Sequence, residues 1–202
     1  MQEAEINSKL AACNPVDRIQ VIHGIYGRAL VSTTSGGETS ALIPNISRIA
    51  LPHERIPIFF VDTLHYNEET YRQIAILQKD GFDVRKCSPE RRIDPPDEQS
   101  HEFDDWLYAV KHEPLERAFR DYQRQTGIEP LVWMDGILAP REEKIFYFRN
   151  GIYHFHPILD WTKEKVLAYL NQHGLPMNRN HRDITKGSEF KNECKIRERV
   201  NL

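Results

Sequence analysis

Cysteine is scarce: Cys13, Cys87 and Cys194 are the only three in 202 residues, and they lie far apart. An odd, sparse set excludes a disulfide framework. With no Cys-x-x-Cys spacing it also excludes a four-cysteine zinc or iron–sulfur site within one chain. No run approaches the roughly 18 apolar residues that span a bilayer, so no membrane segment is expected. The N-terminal stretch MQEAEINSKLAACNP has no apolar centre like that of a secretory signal, and a cytoplasmic chain is expected. Neither charge is in excess: 27 Lys and Arg against 30 Asp and Glu leave −3 with neutral histidines. That balance argues against nucleic acid as a general partner. Repeats and low-complexity tracts are absent, and so is the Gly-Lys-Ser/Thr of a P-loop NTPase. What is present, 40% hydrophobic and 28% charged residues, is the composition of a globular domain with a full-sized core.

Apolar periodicity alternates between short runs and amphipathic stretches. Ala29-Leu30-Val31, Ile56 to Val61, Val84 to Cys87 and Leu131 to Met134 read as buried strands. Asn14-Pro15 reads as a helix cap and first position, with Gly24 or Gly27 closing the helix. Asn67 before Glu68 and Glu69 caps another, closed by Gly81. Helical patterns follow at Ala41–Ile49, Glu102–Val110 and Pro114–Gln125, the last closed by Gly127. A further helix, capped by Asp160 or Thr162, runs to His173. Lys144 to Phe155 alternates around Asn150-Gly151, a strong hairpin signal. Pro176 to Leu202 is polar and basic and reads as a largely irregular tail. Strands alternating with helices predict an α/β fold with an open, mainly parallel twisted sheet flanked by helices.

The stretch Leu30 to Ser40, LVSTTSGGETS, carries the chemistry. A strand, a Ser/Thr/Gly turn and a helix start aim backbone N–H groups at one point. The helix dipole adds partial positive charge, and the glycines allow close approach. Phosphate, pyrophosphate or sulfate is the natural ligand of Thr33, Thr34, Ser35, Gly36, Gly37, Glu38, Thr39 and Ser40. The competing reading is an ordinary turn rich in small residues.

Thr33-Thr34-Ser35-Gly36-Gly37 with Ser40-Ala41-Leu42 resembles the pyrophosphate-binding loop of the phosphoadenosine phosphosulfate (PAPS) reductase family, in the adenine nucleotide α-hydrolase superfamily. Further resemblances follow in order. Val61-Asp62-Thr63 with Glu69-Thr70-Tyr71 is similar to the family's Val-Asp-Thr-Gly…Glu-Thr-Tyr. Lys111-x-Glu113-Pro114 is similar to Lys-x-Glu-Pro. Asn150-Gly151 through Pro157-Ile158-Leu159-Asp160-Trp161 and His173-Gly174-Leu175-Pro176 match the family's later elements, and Glu193-Cys194 resembles its catalytic Glu-Cys.

The resemblance implies an adenine-nucleotide-binding Rossmann-like domain over residues 1–175 and a tail, 176–202, that carries Cys194. It implies attack of the Cys194 thiolate on the sulfur of a sulfonucleotide, then reduction by thioredoxin or glutaredoxin, in a homodimer without an iron–sulfur cluster or other cofactor. Lys191, Lys195 and Arg197 flank Cys194 and can favour its thiolate. Asp62 and Thr63 end a strand on the ligand side of such a sheet, and Lys111 and Arg141 are candidate cations for phosphate. Plainer readings stand beside these. Cys194 can be a spare thiol, Asp62 a turn residue, Lys111 a solvated helix end and Arg141 a turn residue after Pro140. Cys87 reads as core filler, and His154 and His156 as a strand-surface pair rather than metal ligands.

The chain departs from the family pattern at four places. Leu64 replaces the glycine after Asp-Thr, and Gly136–Arg141 replaces an arginine-rich segment. The stretch after Leu175-Pro176 is short, and Lys195-Ile196-Arg197 replaces Gly-Leu-His after the cysteine. Two alternatives therefore accompany the reductase: an ATP-pyrophosphatase-like adenylating enzyme, favoured by Ser35-Gly36-Gly37 but lacking an aspartate at Thr39, and a nucleotide-binding module that has lost catalysis.

Overall fold

The computed structural model describes residues 2–139 and 141–186. Helices α1 (Glu3–Ala11) and α2 (Pro15–Tyr26) lead into β1 (Leu30–Thr34) and α3 (Leu42–Ala50). Then come β2 (Ile58–Val61), α4 (Glu68–Lys79), β3 (Val84–Cys87), α5 (Glu102–Leu107) and α6 (Glu113–Thr126). The chain closes with β4 (Val132–Met134), β5 (Phe146–Arg149), β6 (Ile152–Phe155) and α7 (Lys163–Gln172). The six strands form one sheet in the order β3-β2-β1-β4-β6-β5. All neighbours are parallel except β5 and β6, the expected hairpin. Its turn residues Asn150 and Gly151 take φ 52° and 80°, the left-handed pair that a two-residue hairpin requires.

Parallel strands covered on both faces need apolar residues at successive positions, and all four residues of β2 are buried. On one face Leu30, Val132, Met134 and Phe155 pack with α1, α2, α3 and α7. On the other, Val31, Phe59, Val61 and Trp133 meet Leu115, Phe119 and Tyr122 of α6. The Phe119 and Trp133 rings meet edge to face at 5.7 Å, a contact worth about 1 kcal/mol beyond its area. The predicted caps are in place: Asn14 accepts from Asp17 N and Asn67 from Thr70 N, each worth about 1 kcal/mol.

Three features differ from expectation. Helix α1 has only Ile6 and Leu10 as buried positions, too few for a periodic signal. It seals the free edge of β5: Asn7 bonds both the N–H and the carbonyl of Phe146, and Glu3 accepts from Phe148 N. The two helices expected at Glu102–Val110 and Pro114–Gln125 are continuous, joined by a π-helical segment, Tyr108–His112. Pro114 has no N–H to give Val110 four residues back, and a wide turn accommodates that loss. Lastly, residues 177–183 are irregular as read and lead into a 3-10 turn, Ile184–Lys186, but they lie against the α/β body, with Asn178, Asp183 and Thr185 buried.

Candidate active site

In the sheet order, β2 and β3 lie on one side of β1, and β4 lies on the other. The crevice beyond the carboxyl ends of β1 and β4 is thus a topological switch point, where open α/β sheets bind ligands. The predicted anion loop follows β1 into this crevice. Thr34 Oγ1 accepts from Gly36 N at 3.1 Å, and Gly36 turns at φ 73°. A Cβ there would meet Thr70 Cγ2 at 2.7 Å, so only glycine fits. Ser40 N closes on Gly37 O and Leu42 N on Thr39 O, curling the chain into α3. Among the described residues the backbone N–H groups of Gly37, Glu38 and Thr39 have no protein acceptor. Successive free donors at a helix entry form the nest that a phosphate oxygen fills.

The loop hydroxyls divide into two sets. Thr33 Oγ1 accepts from Trp133 Nε1 at 2.9 Å, Thr34 from Gly36 N, and Ser40 from Gln73 Nε2. Ser35 and Thr39 have no partner among the described residues, while Thr33, Thr34 and Ser40 only accept in these bonds and keep their O–H hydrogens to donate. Glu38 is half-buried.

Asp62 and Thr63 follow directly on β2 and are both wholly buried. Asp62 Oδ1 accepts from Leu64 N and the Tyr71 hydroxyl, and Oδ2 pairs with Lys86 Nζ at 2.7 Å. The expected nucleoside contact is therefore engaged within the fold, where it positions Tyr71 and Lys86. Burial and the bond to Asp62 hold the Tyr71 phenol up at about 12. Thr63 Oγ1 is buried without a hydrogen-bond partner, an orphan donor at the crevice wall. Leu64 takes φ 63°, a conformation that costs a leucine about 1 kcal/mol and suits the glycine of the family pattern.

Lys111, expected as a phosphate cation, lies in the π segment and is 1% exposed. Its ammonium is 2.7 Å from Asp183 Oδ2 and 2.6 Å from Thr185 Oγ1. Arg141 is exposed in the loop after β4. Cys194, with Lys191, Lys195 and Arg197, lies outside the described residues.

Sequence reasoning missed the segment that covers the loop. Asn178 Nδ2 donates to Gly36 O and Thr70 Oγ1, Gln73 donates to Pro176 O, and Asn67 donates to Asn180 O. His181 bonds Thr70 Oγ1 and lies beside Gly37. Isolated polar side chains in an irregular stretch carry no periodicity, so nothing in the sequence pointed to a returning chain.

His154 lies on β6 and His156 just past its end, and both are buried, 1% and 0% exposed, rather than on the surface. Tyr147 stacks on His154 at 4.8 Å, and His156 Nδ1 is 3.2 Å from Asp135 Oδ1. Burial lowers both imidazoles to about 4, and for His154 the neighbouring His156 adds to the effect. Cys87 is core filler: its thiol contacts Phe60 O, and burial raises it to about 12. Among the described residues no cluster of three or more His, Cys, Asp or Glu side chains is arranged to hold a metal, and no helix is long and apolar enough to cross a membrane.

The chain is 24% identical over 189 residues to the phosphoadenosine 5'-phosphosulfate reductase of Vibrio parahaemolyticus, covering 85% of this chain and 69% of that one. It is 25% identical over 189 residues to the enzyme of the same name from Thiocapsa roseopersicina, covering 85% and 74%. The crystal structure of phosphoadenylyl-sulfate (PAPS) reductase from Candida auris, a phosphate complex, superposes with a TM-score of 0.70 at 20% identity over 88% of this chain and 90% of that one. The profile of the phosphoadenosine phosphosulfate reductase domain matches residues 29–183, from the start of β1 through the phosphate loop to Asp183. With that match spanning most of its length, the chain belongs to the phosphoadenosine phosphosulfate reductase domain family.

Proposed function

We propose that the chain reduces a sulfonucleotide, 3'-phosphoadenosine 5'-phosphosulfate, to sulfite and adenosine 3',5'-bisphosphate. One observation carries this reading: a glycine-bounded nest of unengaged N–H groups at the switch point of the sheet, within the span matched by the family. Gly37, Glu38 and Thr39 N–H groups and the Ser35 and Thr39 hydroxyls hold the phosphate portion. Thr63 Oγ1 supplies a donor toward the nucleoside, while Asp62 fixes Tyr71 and Lys86 beside it.

The chemistry is a displacement at sulfur. The Cys194 thiolate attacks the sulfate sulfur, an S–S bond forms, and the S–O bond to the phosphate breaks. The nucleotide leaves with the electron pair, and the loop donors stabilise its growing charge. A dithiol of the thioredoxin or glutaredoxin class then attacks the Cys194 thiosulfonate. Sulfite departs, and the second thiol resolves the mixed disulfide, so the dithiol supplies both electrons and no metal cluster is required. We assign the working unit as a homodimer in the cytoplasm.

The test is a sulfite-release assay with the full chain, the sulfonucleotide and reduced thioredoxin. Sulfite formed with wild type and abolished by Cys194→Ser supports the reading. Pyrophosphate release from ATP without sulfite would replace it with the adenylating enzyme. Nucleotide binding with neither product would leave a binding module.

A further inference from the structure

We propose that Lys86 is the contact for the nucleotide's second phosphate, the one on the ribose 3'-oxygen, and so sets a preference for a 3'-phosphorylated substrate. The proposal rests on the sulfonucleotide reading and adds to it a specificity-determining residue.

The sheet places this lysine at the crevice. Strands β3, β2 and β1 are parallel neighbours, so their carboxyl ends point the same way. Lys86 stands on β3 opposite Phe60, and its side chain reaches forward across the end of β2, where Nζ lies 2.7 Å from Asp62 Oδ2. The other oxygen of Asp62 accepts from the Tyr71 hydroxyl at 2.9 Å. Tyr71 follows Thr70, whose methyl group and carbonyl crowd Gly36 of the loop. An unbroken line of neighbours therefore leads from the anion nest to the ammonium. Adjacent strands are about 4.8 Å apart, so a charge held over the end of β2 stands about one strand from the end of β1. The 5'- and 3'-phosphates of a nucleotide hang from one ribose. With the first in the nest beyond β1, the sugar carries the second toward the end of β2.

Exposure decides what an anion meets there. The Lys86 side chain is 55% exposed and that of Asp62 0%. A phosphate can reach the ammonium but not the carboxylate that holds it. Among the described residues Lys86 has no other partner, so it keeps N–H groups for a ligand. Asp62 also accepts from Leu64 N and from Tyr71, and these two donors hold its charge in place. A lysine restrained in this way has less rotamer freedom left to lose on binding than a free one. Arg92 acts on the Tyr71 phenol against burial and Asp62, which puts a second cation at this corner, shared with Asp94 at 3.5 Å. A nucleotide without a 3'-phosphate has no group to place against these charges.

The experiment compares adenosine 3',5'-bisphosphate with adenosine 5'-monophosphate by calorimetric titration into the full chain. The proteins are wild type, Lys86→Gln, Lys86→Arg and the double variant Asp62→Asn/Lys86→Gln, each first checked by a thermal melt. A hydrogen bond to a charged group is worth about tenfold to a hundredfold in affinity, and wild type is expected to favour the bisphosphate by that factor. Lys86→Gln is expected to lose most of the preference through weaker bisphosphate binding, with the monophosphate changed by less than about twofold. Lys86→Arg is expected to keep it. The double variant removes the carboxylate's charge along with the ammonium and is expected to lose the same preference. It decides the matter where Lys86→Gln, with Asp62 buried and unpaired, does not fold. An equal loss for both nucleotides would mark Lys86 as a support for Asp62 alone and overturn the contact, and so would an unchanged ratio in either Gln variant. Equal binding of the two nucleotides by wild type would overturn the contact and leave a sulfonucleotide without the 3'-phosphate as substrate. Binding of neither would overturn the reductase reading itself, and this contact with it.

Discussion

Lys111 and Asp183, 72 residues apart in sequence, meet at 2.7 Å with side chains only 2% and 0% exposed. The pair joins the π segment to the chain that returns across the glycine-rich loop, and Thr185 Oγ1 also accepts from the ammonium. Asp183 also accepts from Thr185 N and Oγ1, so the two charges sit in a buried polar cluster.

Removing one member of this pair strands a charge in the interior. Asp183→Ala and Lys111→Met are each expected to lower stability by about 3–5 kcal/mol in urea denaturation, and the double variant by much less than the sum. Single losses under about 1 kcal/mol would show that the pair is solvated and that the segment is not fastened there.

Gly36 and Gly24 form an internal control. Gly36→Ala combines φ 73° with a 2.7 Å clash on Thr70, and is expected to cost about 2–4 kcal/mol and to abolish nucleotide binding. Gly24→Ala, within α2 and with nothing within 4 Å of the new methyl group, is expected to stabilise by up to about 1 kcal/mol without altering binding. Thermal melts with a binding titration separate the two effects. Equal behaviour of the variants would contradict the assigned loop geometry.

His154 and His156 set an acid limit on stability. Burial holds both at about 4 in the folded chain, below the ordinary imidazole value of about 6.5, so the unfolded chain binds protons more readily. Their contribution is complete above about pH 6.5 and is lost as pH falls toward about 4, at up to about 1.4 kcal/mol per pH unit for each ring. Denaturation midpoints are expected to fall over that window in wild type and to fall less in His154→Gln/His156→Gln. The same pH slope in both proteins would place the acid sensitivity elsewhere.

Much of the fold was legible because its signals are local and periodic. Asn14, Asn67 and Thr162 cap where expected, and Asn150-Gly151 turns the hairpin. The strand runs are those that a sheet covered on both faces demands. The glycine-rich turn between β1 and α3 was legible for the same reason. Contacts between distant segments were not. Nothing near Lys111 announces Asp183, and nothing near Gly37 announces His181, because an ion pair or a ring contact has no sequence period. Asp62 shows the complementary limit. Its position at a strand end suggested a ligand, whereas Lys86, Tyr71 and Leu64 N engage both of its oxygens.

The most direct test of the account is the intact mass of the full chain after incubation with 3'-phosphoadenosine 5'-phosphosulfate without reductant, followed by peptide mapping. One added sulfonate located on Cys194, absent from Cys194→Ser and from Gly36→Ala and discharged by reduced thioredoxin, is the predicted result. An unmodified Cys194 in a protein that binds the nucleotide, or a sulfonate on Cys13 instead, would contradict it.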